Sequence, residues 1–115
     1  MAENITISEE TRQIILKIQQ KEVTEQAIYR NLSKRVKKQS DRELLQRISE
    51  EEGYHSNLWS KYTGKKLKPK GLKVFLYSLL SIIFGYTFVI KIMEKNEILS
   101  KETYSKLAEE IPIAS

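Results

Sequence analysis

The residues with the clearest chemical potential are Glu52 and His55, which form a Glu-x-x-His pair around the single histidine of the chain. Side chains three residues apart leave a helix from the same face. The pair lies on a stripe at steps of three and four residues, typical of the buried face of an amphipathic helix: Leu45, Ile48, Glu52, His55, Trp59 and Tyr62. A carboxylate and an imidazole are therefore expected at core positions. Because a buried carboxylate is costly unless it is paired, a metal ion is the best partner for both.

A second stripe with the same character comes earlier in the chain. It reads Ile14, Ile18, Glu22, Glu25, Tyr29, Leu32 and Val36. A capping box of Thr6 and Glu9 predicts the start of this helix, which is expected to run to about Lys38. A second box at 40–43 predicts the next helix after a break of one or two residues, so the two helices should form an antiparallel hairpin. Glu22 and Glu52 should then lie at similar depth.

The segment after Thr63–Gly64 changes character. A basic loop leads to a predicted helix from Leu72 to about Lys95, and no charged residue occurs between Lys73 and Lys91. Two interpretations stay open for this apolar stretch. The favoured one is a helix, 72–95, buried by its own bundle and by a second subunit in a homodimer. The other is a segment, 74–90, that enters a membrane while the preceding lysines face anionic headgroups. A last helical piece should end before Ile111–Pro112.

A short internal repeat in the sequence suggests further ligands. The spacing of Glu22, Tyr29 and Leu32 recurs in Glu97, Tyr104 and Leu107. Dinuclear sites in four-helix bundles take one Glu from each of two helices and a Glu-x-x-His from each of the other two. The candidate metal ligands are therefore Glu22, Glu25, Glu52, His55, Glu94 and Glu97, with Tyr29 as a candidate hydrogen-bond donor to a ligand. The competing interpretation is a buried polar network that binds nothing.

The runs 22–29, 52–55 and 93–97 resemble the rubrerythrin-like branch of the ferritin superfamily. With 58–59, 61–64 and 72–75 added, the chain is most similar to the ferritin-like domain that precedes the membrane part of some vacuolar iron transporter relatives. The resemblance implies a single all-α domain over residues 1–115, a ferritin-like antiparallel helical bundle. It also implies a di-iron carboxylate site that binds iron, with manganese or zinc as alternatives, and a role in iron handling or in ferroxidase or peroxide chemistry.

The sequence departs from this family at one point. Family members carry a final helix with a second Glu-x-x-His, and this chain has none. Three interpretations of this departure stay open: a truncated chain, a remnant whose site is incomplete, or a chain whose missing ligands come from a partner. The bundle is accordingly expected to lack its last helix and to be completed by dimerisation, and the site is expected to be dinuclear only if the missing ligands are supplied.

Composition limits the remaining possibilities. The chain has 115 residues, a net charge of +5 and no cysteine, which excludes disulfides, thiol nucleophiles and cysteine-ligated metal sites. No signal peptide is recognisable at the N-terminus, so a cytoplasmic location is expected, with the membrane surface as the alternative. No nucleic-acid motif accompanies the lysine clusters, and nucleic acid is not expected as a partner. A non-catalytic helical dimerisation module and a membrane-associated protein stay open as alternative functions.

Overall fold

The computed structural model describes the backbone of residues 7–110 and the side chains of residues 7–98. Within residues 7–110 it contains helices and no strand, which confirms the all-α class. The helices are α1 (Glu9–Arg35), α2 (Gln39–Thr63), α3 (Gly71–Phe84) and α4 (Tyr86–Glu110). The chain divides into two compact units, Met1–Leu79 and Leu80–Ser115. The first unit contains the α1–α2 hairpin, the loop that follows it and most of α3.

The starts of the first two helices differ from the predicted capping boxes. Ser8 is the N-cap of α1, and its side chain accepts a hydrogen bond of 3.1 Å from the backbone N–H of Thr11. Thr6 lies outside the described residues. The predicted box at 40–43 is wrong, because α2 already begins at Gln39, where the Lys38 carbonyl accepts from the N–H of Arg42 at 3.0 Å. Lys38 occupies the N-cap position without a capping side chain.

The predicted antiparallel hairpin of α1 and α2 is confirmed. Arg12 near the start of α1 donates to the carbonyl of Thr63 at the end of α2, at 2.9 Å. Near the middle of both helices, Ser49 donates to the carbonyl of Gln26 at 2.9 Å. The apolar core of the hairpin consists of large aliphatic side chains that are almost fully buried: Ile15, Ile18, Ile28, Leu32 and Leu45. This packing holds the carboxylate-bearing faces of the two helices together.

The single helix predicted from 72 to 95 is wrong, because Gly85 interrupts it. Gly85 has a φ of 94°, a left-handed conformation that glycine adopts without a steric penalty, and its N–H closes α3 on the carbonyl of Ser81 at 2.9 Å. The rings of Phe84 and Phe88 pack across this break with centroids 5.0 Å apart. The backbone of α4 then continues without interruption from Tyr86 to Glu110, so no separate last helix follows Lys95. None of the described helices combines the length and apolarity that crossing a membrane requires.

Candidate metal centre

Small residues on α2 let the two helices approach closely beside the candidate ligands. Ser49, Gly53 and Ser56 are buried. A Cβ atom at Gly53 would lie 2.5 Å from Nε2 of Gln26, so a side chain at this position would have to displace the end of the Gln26 side chain. Glu52, next to Gly53, is thereby held against the face of α1 that carries Glu22 and Glu25.

Three of the predicted ligands come together in the hairpin. One donor atom each from Glu22, Glu52 and His55 lies within 4.8 Å of the other two. The imidazole Nδ1 of His55 is 3.7 Å from Oε2 of Glu22 and 3.8 Å from Oε1 of Glu52. Glu22 and Glu52 are buried, with 3% and 7% of their surface exposed. Two helices thus deliver two carboxylates and one imidazole to the same point.

The spacing of these atoms is informative. Distances of 3.7 and 3.8 Å exceed the usual hydrogen-bond length, so the imidazole is not directly hydrogen-bonded to either carboxylate. Two ligand atoms that each lie about 2.1 Å from one metal ion are at most about 4.2 Å apart. Both His55 distances fall within that limit. The three side chains are therefore close enough to hold one metal ion between them.

Glu25 adds a third buried carboxylate, with 5% of its surface exposed. One of its oxygens lies within 4.8 Å of an oxygen of Glu52. Its Oε2 accepts a bond of 2.7 Å from Lys21, one turn earlier on α1. Its Oε1 is buried and accepts no hydrogen bond from the part of the chain that the structure describes. Glu25 thus has one oxygen paired with Lys21 and one buried oxygen without a hydrogen bond from the described residues.

The prediction that His55 occupies a core position is wrong. Half of its side chain is exposed, and Ile48, Trp59 and Tyr62 on the same predicted stripe are only partly buried. The reason is that α2 packs on α1 through its small residues, which turns the stripe with large side chains toward the edge of the interface. His55 consequently stands at the mouth of the cluster, between the buried carboxylates and solvent.

The remaining predicted site residues are Tyr29, Glu94 and Glu97. Tyr29 is buried on the same face of α1 as Glu22 and Glu25. Glu94 and Glu97 lie on α4 in the second compact unit, Glu94 exposed and Glu97 partly buried. The side chains of Tyr104 and Leu107, which carry the internal repeat, lie outside the described side chains. A ligand role for Glu94 or Glu97 stays a prediction.

A second polar cluster in the hairpin was not anticipated from the sequence. Gln19 is buried, accepts from the hydroxyl of Thr63 at 2.8 Å and donates to the carbonyl of Lys65 at 2.7 Å. It fastens the loop after α2 onto α1. The signal in the sequence is weak: Gln19 lies three residues before Glu22, which extends the polar part of the α1 stripe by one turn.

Comparisons of the chain with protein-family models, with curated proteins and with solved structures give no match.

Proposed function

We propose that this chain is a metal-binding protein of the di-iron carboxylate type, with Glu22, Glu52 and His55 as its principal ligands. The observation that carries the proposal is the gap of 3.7 and 3.8 Å between His55 Nδ1 and two buried carboxylates. Those side chains are too far apart for direct hydrogen bonds and close enough to share one ion.

The donor set fits the proposed metal. Carboxylate oxygens and an imidazole nitrogen suit iron, manganese and zinc. Glu22 and Glu25 each lie near Glu52, so three buried carboxylates bring like charges together at one point. A divalent cation offsets that repulsion directly. Glu25 extends the donor set, because one of its oxygens lies within 4.8 Å of an oxygen of Glu52 and its Oε1 is buried without a hydrogen bond from the described residues.

The proposed role is iron handling or ferroxidase or peroxide chemistry. It is supported by the resemblance of 22–29, 52–55 and 93–97 to rubrerythrin-like ferritins. Bound iron supplies the one-electron chemistry. The chain's own residues hold the ion and balance its charge, and the packing around Glu22 and Glu52 keeps bulk water from their side chains. The half-exposed ring of His55 gives an ion a path from solvent to the carboxylates. Glu94 and Glu97 are proposed as further ligands.

The test is elemental analysis after anaerobic loading with Fe²⁺ and removal of unbound metal. The variant Glu52→Ala/His55→Ala is compared with the unaltered chain. The matched control is Glu50→Ala/Asn57→Ala, which also removes one carboxylate and one polar side chain from α2 but at exposed positions outside the cluster. At least one iron per chain is expected in the unaltered protein and in the control, and none in the Glu52→Ala/His55→Ala variant.

A second readout exploits the single histidine of the chain. Its ring signals in an NMR spectrum belong to His55 without further assignment. Titration with Zn²⁺, a diamagnetic probe, should shift these signals with saturation at a defined stoichiometry, and Glu22→Gln should weaken the response. If iron is absent from the loaded protein and Zn²⁺ leaves the His55 signals unchanged, the cluster is a structural network and the metal-binding proposal is wrong.

A further inference from the structure

An exposed apolar stripe runs along α3. Leu72, Phe75, Leu76 and Leu79 recur at steps of three, one and three residues, which places them on one face of the helix. Their exposed fractions lie between 41% and 73%. Four large apolar side chains on one helix face indicate a surface that contacts something else.

The charged residues near this stripe in the sequence are all basic. From Gly53 to Met93 the sequence contains seven lysines and not one Asp or Glu. Five of these lysines lie just before the stripe or at its start, and all five are exposed: Lys65, Lys66, Lys68, Lys70 and Lys73. A partner that covers the stripe lies next to a dense positive charge at the edge of the stripe. This charge attracts an anionic partner.

The lysines also line a groove with a defined shape. The groove has a volume of about 480 Å³, and lysines from three elements converge on it: Lys17 and Lys21 from α1, Lys65 and Lys70 from the loop, and Lys73 from α3. Lys73 follows Leu72 directly, so it joins the groove to the apolar stripe.

The backbone of the basic loop is fixed on α1, which holds these lysines in place. Gln19 and Gln20 donate to the carbonyls of Lys65 and Lys68, each at 2.7 Å. The N–H of Lys70 donates to the hydroxyl of Thr24 at 3.1 Å. A loop bound at three points presents its charges without first having to be ordered, which lowers the entropic cost of binding.

We propose that the stripe on α3 and the lysine-lined groove together dock this chain on an anionic lipid surface. The apolar face of α3 lies among the acyl chains just below the headgroups, and the groove receives a phosphate-bearing headgroup. An interfacial helix with an apolar face and flanking lysines binds in this way. A soluble phosphate leaves the stripe exposed, and a second copy of the chain brings lysines against lysines. An anionic bilayer covers the stripe and supplies the opposite charge. This site adjoins the proposed metal centre through Lys21, which lines the groove and pairs with Glu25 at 2.7 Å, and none of the residues changed below is a candidate metal ligand.

The experiment is sedimentation of the full chain with vesicles at low salt. One set of vesicles is phosphatidylcholine alone, and the other contains equal parts of phosphatidylcholine and phosphatidylglycerol. Binding is expected only to the second set and should weaken as salt is added. Lys70→Gln/Lys73→Gln should lower the affinity about twenty- to thirtyfold. Leu72→Ser/Phe75→Ser should lower it by about tenfold or more.

The control for charge is Lys34→Gln/Lys37→Gln, which removes two exposed lysines far along the chain from the groove and should leave the affinity within about twofold. Helix content by circular dichroism confirms that each variant is folded.

Three results would overturn the proposal. The first is equal binding to both sets of vesicles, or equal losses in the two lysine pairs. The second is binding of inorganic phosphate to the lipid-free chain with no binding to the anionic vesicles, which identifies a soluble phosphate ligand. The third is a lipid-free dimer that Leu72→Ser/Phe75→Ser abolishes, since the stripe is then covered by a second copy.

Discussion

Two polar clusters lie in the same helix pair, and they differ in whether their side chains hydrogen-bond directly to one another. In the first, Gln19 meets Thr63 and the carbonyl of Lys65 at 2.8 and 2.7 Å. The second begins one turn further along α1, at Glu22. There Nδ1 of His55, on α2, lies 3.7 Å from the carboxylate of Glu22 and 3.8 Å from that of Glu52. The first cluster is complete as it is. The second brings together three side chains that could hold a metal ion.

The difference follows from the chemistry of the side chains. An amide and a hydroxyl each contain both a donor and an acceptor, so Gln19 and Thr63 can satisfy one another. Ionised carboxylates only accept, and Glu22, Glu25 and Glu52 gather near one another. A cluster that consists mainly of acceptors is one that a cation can bind. Under the proposed function, the Gln19 cluster serves folding and the Glu52 cluster serves binding.

The largest expected effect is on metal affinity. Glu52→Ala/His55→Ala removes two of the three principal ligands, so the affinity for Fe²⁺ or Zn²⁺ should fall by more than the about 10- to 100-fold that loss of an outer hydrogen-bond partner costs. Titration with a competing chelator measures it. Gln19→Ala, in the neighbouring cluster, should leave the affinity within about twofold. Equal losses in both variants would show that the two clusters do not divide folding from binding.

The next effect is on stability with and without metal. Saturating the site at about 100 times its dissociation constant should raise the free energy of unfolding by about 2.7 kcal/mol, because the ion binds the folded chain and not the unfolded one. Urea unfolding with Zn²⁺ or with a chelator measures the difference. The increment should persist in Gln19→Ala and vanish in Glu52→Ala/His55→Ala. An increment that survives in the latter variant means that the ion binds elsewhere.

Disrupting the Gln19 cluster should lower the free energy of unfolding directly. Gln19→Ala leaves the Lys65 carbonyl without its donor in a part-buried position and removes the acceptor of the Thr63 hydroxyl. The expected cost is about 1–3 kcal/mol of unfolding free energy, with or without metal. Urea unfolding in chelator measures it. Gln13→Ala, at an exposed position two turns earlier on α1, is the control and should change stability by less than about 0.5 kcal/mol.

The smallest expected effect has the opposite sign. In chelator, Glu52→Gln should raise the free energy of unfolding by about 1 kcal/mol, because it removes the charge that faces both Glu22 and Glu25 while keeping the size of the side chain. The control is Glu50→Gln, at an exposed position on the same helix, and it should have no measurable effect on the free energy of unfolding. A loss of stability in Glu52→Gln would mean that the carboxylate is held by the fold itself, as Gln19 is.

Much of the fold follows from the sequence. The steps of three and four residues from Ile18 through Glu22 to Leu32 specify α1 and its buried face, and the short break predicted after about Lys38 requires an antiparallel partner. Gly64 ends α2 with a φ of 73°, as its position after the stripe predicts. The grouping of Glu22, Glu52 and His55 also follows, because residues at equal distances from a hairpin turn lie side by side.

The tertiary structure decided three things that spacing alone does not reveal. Ser49, Gly53 and Ser56 form the contact with α1, so α2 is rotated and His55 lies at the mouth of the cluster. Gly85 divides the long apolar stretch into two helices, since a glycine inside an apolar run marks either a packed position or a break. Lys65, Lys70 and Lys73 line a groove beside α1, to which Gln19, Gln20 and Thr24 fasten the loop. Sequence periodicity records which face of a helix is apolar, whereas the fit between two surfaces decides which part of that face is buried.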